Sequence, residues 1–406
     1  MSAKGDNKRL AKELGLVDVY AISTGAMFSS GFFLLPGLAF ALSGAWIVAA
    51  YFISAVLVIP AMLSKAELAS AMPKAGGTYY FLDRSMGPLV GTVGGLGTWV
   101  AMGLKNTFAL IGMGAYLGLV LDVDITLVAL CLTVVFTAFN IVGAKETATL
   151  QRVLVFALVS ILGFLIAAGL HSIATAGAIE STLEGFTNSP HTDINGVFAT
   201  VGLVFVSYAG LTKAVSVAEE VRNPDRNLIR GMALSLATAA VIYVVGSYVL
   251  VTLVDHEQLA TDLTPIATVA ENIFSWLPAK VVLVAVLVAA VAAFASTANA
   301  GIMAASRYLL AMGRDKLIPS RFSSLGRFRT PTLGVLASSC FIAVAVLTLD
   351  VMTVAKLASA FQLLMFALVN LAVIVMRESR LHAYDRPFDP RYTRGSSCSV
   401  SSRRLR

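Results

Sequence analysis

Residues 19–64 contain no Asp, Glu, Lys or Arg. About a quarter of the residues in a soluble domain are charged, so a run of this length has no place on a wetted surface. A helix crosses the ~30 Å hydrocarbon core with ~20 apolar residues, and this run is long enough for two crossings. Pro36, Gly37, Ser43 and Gly44 divide it. The pattern repeats along the chain. Residues 85–121 carry a single charge, Lys105, and residues 125–144, 153–179, 194–212, 231–254, 281–306, 330–349 and 357–376 carry none. With 57% hydrophobic and only 13% charged residues over 406 positions, the chain reads as an all-α polytopic membrane protein with ten transmembrane helices. Membrane strands would alternate polar and apolar residues over about ten positions, and no such alternation is seen. Cys131, Cys340 and Cys398 form neither a disulfide framework nor a metal-binding spacing.

Basic residues collect on the cytoplasmic side of membrane proteins. With the N-terminus inside, 26 of the 30 Lys and Arg fall on that side. Lys280 and Lys356 fall outside, and Lys105 and Lys213 within spans. The outer segments instead hold Asp122, Asp124, Glu180, Glu184, Asp193, Asp255, Glu257, Asp262, Glu271 and Asp350. Both termini are therefore expected in the cytoplasm. The net charge of +7 follows from this topology and attraction to anionic lipid; it calls for no nucleic acid.

The breaks in helical propensity narrow the function. Span 1 carries Thr24-Gly25-Ala26-Met27-Phe28-Ser29-Ser30-Gly31 and then Pro36-Gly37; span 6 carries Phe205-Val206-Ser207-Tyr208-Ala209-Gly210. Irregular backbone at membrane depth is tolerated only where it lines a cavity or is buried in protein. Interrupted spans at matching places in two halves point to a transporter binding site. Spans 1 and 6 are five apart, an odd number, so the second half runs upside down. The expectation is a 5+5 inverted repeat with discontinuous helices 1 and 6. Residues 1–16 would be a cytoplasmic tail, 17–376 the core (17–173 and 194–376 its halves) and 377–406 a second tail.

In order along the chain stand Gly25 to Gly37, Pro73-Lys74-Ala75-Gly76-Gly77-Thr78-Tyr79, Asn140 with Gly143, Ala218-Glu219-Glu220-Val221-Arg222-Asn223-Pro224, and Ser306-Arg307-Tyr308 with Gly313-Arg314-Asp315. From about residue 10 to residue 388 the chain resembles the amino acid–polyamine–organocation (APC) transporters, which have the LeuT-type fold. Ser29 stands where that family usually has glycine. Members typically have twelve spans. Tyr384 to Pro390 resembles the linker to an eleventh, and residues 391–406 then read as a polar, disordered end in place of the last two.

The resemblance implies a site for an amino acid between the two breaks. The half-helix that starts after the first break offers free N–H groups and a positive dipole end to a carboxylate; Ser29, Ser30 and Gly31 stand there. Carbonyls around Ala26, Met27, Phe205 and Ser207 would accept from the ammonium. Tyr208 and Phe205 would cap or line the site, and Gly210 belongs to the same break. No acid lies deep in a span near the breaks, which favours neutral amino acids. Lys105, near the middle of span 3, holds an anionic group, takes part in proton coupling, or pairs with carbonyls. Lys213 sits past the second break, in a vestibule or a coupling role. Ala293, Ser296 and Thr297 share one helical face by their spacing and would hold a coupling cation, while hydroxyls bonded back to their own helix are the alternative reading. Na+ or H+ is the candidate ion; no other cofactor and no enzymatic motif is present.

The expected function is secondary active amino acid transport in the plasma membrane by alternating access, cation-coupled or by exchange. The rivals are a polyamine or organic-cation carrier, a sensor that binds without transport, and an inactive truncated permease. The amino acid and the bilayer are the expected partners.

Overall fold

A computed structural model describes residues 14–72, 77–121, 123–142, 148–176, 194–328 and 330–379. These are helical nearly throughout, and among them no strand forms; one isolated bridge joins Leu14 to Val221. Span 1 is made of α1 (Leu16–Met27), the four-residue α2 (Ser30–Phe33) and α3 (Leu35–Ser43). Gly44, with φ of 54°, ends it, because a residue without Cβ takes the left-handed conformation at little cost. A short 3-10 turn, Gly44–Trp46, then leads into α4 (Ile47–Ala71). There follow α5 (Gly77–Met86), α6 (Pro88–Leu121), α7 (Ile125–Val142) and α8 (Ala148–Ala176).

The second half opens with α9 (Ile194–Val204) and a 3-10 helix, Phe205–Glu220. Asn223, left-handed at φ of 47°, and Pro224 turn the chain into α10 (Pro224–Leu253). The short α11 (His256–Thr261) and α12 (Pro265–Ile273) precede α13 (Ala279–Arg314), α14 (Thr332–Thr348) and α15 (Val351–Glu378). Among the described residues, eight helical stretches are long and apolar enough to cross a bilayer, and the shorter apolar helices α1 and α14 fall in the expected first and ninth spans. α15 runs through Arg377 and Glu378, two residues into the segment expected as a tail.

Burial sorts the helices. In α6, 72% of the most apolar window is buried, against 22% in α7. α6 is therefore a central column, and α7 presents Val134, Val135 and Phe139 outwards, as lipid contact requires. Lys74, Asp122, Lys145, Glu180, Glu184, Asp193 and everything beyond residue 379 lie outside the described residues, as do the side chains of Glu219 and Glu220.

Two ion pairs among the described residues tie helix ends together. Asp18, buried in the first turn of α1, pairs with Arg152 of α8. Glu67, buried near the end of α4, takes both a bond from Arg377 Nε (2.9 Å) and one from its Nη2.

Candidate functional site

The first break is narrow. α1 ends at Met27, and Phe28 and Ser29 leave the helix before α2 begins at Ser30. The Ser29 N–H donates to Met27 O (2.9 Å), and Ser29 O accepts from the N–H groups of Phe32 (3.3 Å) and Phe33 (3.1 Å). The second break differs from the expectation of an unwound stretch. The chain stays helical but winds at the 3-10 pitch from Phe205 to Glu220. Three residues per turn bring i and i+3 into register. Phe205, Tyr208, Leu211 and Ala214 then form one buried row, and Ser207, Gly210 and Lys213 another.

The second row faces the first break. A Cβ on Gly31 would stand 2.7 Å from Ser207 Cβ and 2.8 Å from its Cα, and one on Gly210 would stand 2.1 Å from the Ala26 carbonyl. Only glycine lets the two backbones lie this close. Ser207 Oγ donates to Gly31 O (3.2 Å), and Ser23 Oγ to Leu211 O (3.2 Å). Contacts that advance along one segment retreat along the other, from Ser23 with Leu211 through Ala26 with Gly210 to Gly31 with Ser207. The two segments therefore run antiparallel.

Lys105 joins them. Its buried Nζ donates to Ala26 O (3.1 Å) and to Val206 O (3.5 Å), one carbonyl from each broken segment. Of the expected roles, the structure gives it the pairing with carbonyls. Lys213 is half-buried on the same 3-10 helix.

Three tyrosines complete the walls. Tyr51 donates to Gly31 O (2.8 Å), Tyr243 to Met27 O (2.9 Å) and Tyr208 to Tyr51 O (3.0 Å). The Tyr243 ring lies 5.2 Å from those of Phe28 and Tyr208 and 5.3 Å from that of Tyr51. Phe205 packs edge-on to Phe366 at 5.5 Å. A buried tyrosine needs a partner for its hydroxyl; Tyr51 and Tyr243 find theirs on carbonyls of span 1, and Tyr208 on that of Tyr51.

Ser29 is buried in the break, and its Oγ has no hydrogen-bond partner among the described residues. Only the backbone of Ser30 is described. On α13, Ala293 and Thr297 are buried and Ser296 is half-buried; the Thr297 hydroxyl is without a partner. Ala26, Met27, Ser29, Gly31, Ser207 and Gly210 are thus brought to one place with Lys105. The face of α13 bearing Thr297 meets the neighbouring α6 position: Gly301, one turn on, would carry its Cβ 1.8 Å from Asn106 Oδ1. Sequence reasoning missed Tyr51, Tyr243, Val206 and Asn106. For Tyr51, Tyr243 and Asn106 the available signal was a hydrogen-bonding side chain inside an otherwise apolar run; Val206 contributes a backbone carbonyl and left no signal.

The sequence pattern of the family described as amino acid permease matches residues 14–394, nearly the whole chain. The chain belongs to the amino acid permease family. It is 29% identical over 397 residues to "Cationic amino acid transporter 4, vacuolar" of Arabidopsis thaliana, a match covering 91% of this chain and 64% of that protein. It is 25% identical over 403 residues to "Branched-chain amino acid permease BcaP" of Bacillus subtilis (strain 168), covering 94% and 84% respectively. A mitochondrial relative, "Cationic amino acid transporter 3, mitochondrial" of Arabidopsis thaliana, is 28% identical over 394 residues, 91% of this chain and 63% of that protein. The chain thus spans a little under two thirds of these plant proteins. As a member of that family it is a multi-pass membrane protein, and its relatives are named as transporters and permeases rather than enzymes.

Proposed function

We propose that this permease is a secondary transporter of neutral amino acids that works by alternating access, with its substrate held between the broken segments of spans 1 and 6. The observation that carries this reading is the interlock of Gly31 with Ser207 and of Gly210 with Ala26, beside backbone that leaves regular α geometry at Phe28 and Ser29. Dry, irregular backbone flanked by a short helix suits a zwitterion. Its carboxylate takes the N–H groups that open α2 together with Ser29, Ser30 and Gly31. Its ammonium takes carbonyls near Ala26, Met27, Phe205 and Ser207.

The ten spans form two inverted halves of five, and the antiparallel run of the two broken segments agrees with that arrangement. The protein works in the plasma membrane with both termini cytoplasmic. Exchange or a coupling ion, Na+ or H+, drives it, with Ala293, Ser296 and Thr297 on the ion's side and Lys105 and Lys213 as proton-linked candidates.

Counterflow tests the reading. Proteoliposomes preloaded with mixed unlabelled amino acids are placed in a panel of labelled ones. Accumulation of a neutral amino acid supports transport and names the substrate. Binding without accumulation favours a sensor, and accumulation of a polyamine alone sinks the amino acid assignment.

A further inference from the structure

At the two breaks the backbone carbonyls of Ala26, Met27, Gly31 and Val206 are already engaged. Lys105 Nζ donates to Ala26 O and Val206 O. Met27 O accepts from Tyr243 and from the Ser29 N–H, and Gly31 O from Tyr51 and Ser207. These are backbone acceptors of the kind that a substrate's own ammonium would use.

The unmet groups are able to donate. Ser29 Oγ, Thr297 Oγ1 and Asn106 Nδ2 belong to buried residues and have no partner among the described residues. Asn106 follows Lys105 on α6 and fills the notch at Gly301, with Thr297 one turn away on the same face of α13. Among the described side chains, no carboxylate pairs with the ammonium. The two acidic side chains buried among the described residues, Asp18 and Glu67, are paired with Arg152 and Arg377. A buried cation held only by carbonyls is relieved by an anion.

We propose that this site also takes monocarboxylates that bring no α-ammonium of their own, Lys105 supplying the positive charge in its place. The proposal rests on the reading of this site as the amino acid site. A deaminated acid finds the cation already seated and leaves the carbonyls of Ala26 and Val206 satisfied. A zwitterion must first move Nζ off them.

Equilibrium binding to the full chain in nanodiscs tests the idea. The probes are alanine, leucine and phenylalanine, each beside its deaminated counterpart: propionate, 4-methylpentanoate and 3-phenylpropionate. A charge-assisted hydrogen bond changes affinity by about 10- to 100-fold. The wild-type chain is expected to bind at least one deaminated acid within about tenfold of its amino acid. Lys105→Met is expected to lose that acid by about 30-fold. Lys105→Arg, which keeps the charge, is expected to keep the acid. Wild-type binding of amino acids but of none of the three acids overturns the proposal and leaves the amino acid site standing. Equal binding of the acid by the wild type and by a folded Lys105→Met also overturns it. If the wild-type chain binds none of the six probes, the amino acid reading falls with it. The wild-type comparison decides the matter even if Lys105→Met does not fold.

Discussion

The two broken segments solve one problem in different ways. In span 1 the α-helix stops, two residues leave it and a four-residue helix follows. In span 6 the helix never stops but tightens for sixteen residues. A 3-10 helix rises ~2.0 Å per residue against ~1.5 Å in an α-helix. The stretched segment therefore advances about 8 Å further than α-helix of the same length would. Span 1 supplies loose carbonyls and N–H groups at one level. Span 6 supplies a straight rail of small and polar side chains against which that level is set.

Substitutions at the two glycines probe this contrast most sharply. A Cβ at Gly210 meets the Ala26 backbone, whereas at Gly31 it meets mostly the Ser207 side chain. Gly210→Ala is expected to cost about 3 kcal/mol or more, since backbone has nowhere to retreat. Gly31→Ala is expected to cost less and to be partly restored by Ser207→Gly. Thermal unfolding in detergent measures both, and restoration of Gly210→Ala by any side-chain trim would erase the contrast. For the site itself, Gly31→Val should abolish amino acid binding in a chain that still folds. Retained affinity would remove span 1 from the site.

The ion pair of Glu67 comes next. Arg377→Met leaves a buried carboxylate without its guanidinium, while Arg377 itself is half exposed, so screening trims the loss to about 2 kcal/mol. Arg377→Lys should recover part of it, read from the same melts. Tyr243→Phe removes one bond to the first break and should cost about 1 kcal/mol. Val206 and the rest of the second break should be untouched, as amide exchange in the two segments would report.

The smallest effect lies outside the membrane. Asp350 caps α15 by accepting from the Thr353 N–H (3.0 Å) and hydroxyl (2.5 Å), and these bonds hold its carboxyl below the ordinary carboxylate value. A lowered value means that the cap is fully present above the ordinary value of about 4 and fades as pH falls through the lowered one. Asp350→Ala should fray the first turn of α15 at neutral pH, and acid should add little to it. Exchange of the Thr353 amide against pH checks this.

Much of the architecture was written in the charge pattern. Charge-free runs place the spans because an unpaired charge in hydrocarbon is costly, and that rule does not depend on packing detail. The breaks were legible too, through Gly31, Ser207 and Gly210. The pitch of the second break was not. Phe205, Tyr208, Leu211 and Ala214 spell a period of three, but Val206, Ala209, Val215 and Ala218 off that row are apolar too, so the row does not stand out in the sequence. The same uniformity hid Tyr51 and Tyr243, since hydropathy cannot tell which side of a greasy helix looks inward. Lys105 was conspicuous, yet its partners were invisible: backbone carbonyls belong to every residue and leave no mark on the sequence.

The bridge between Leu14 and Val221 gives those contacts a mechanical meaning. The start of α1 is pinned to the residue that follows the 3-10 helix, and Arg222 N–H donates to Leu14 O (2.8 Å). Together with the bonds from Ser23 and Ser207 deeper in, the two broken spans are riveted at several heights, like two staves of one barrel. Such a doublet transmits force along its whole length. A tug on the chain at Leu14 would be felt at Gly31, and a disulfide locking residue 14 to residue 221 should leave the doublet's own movement intact.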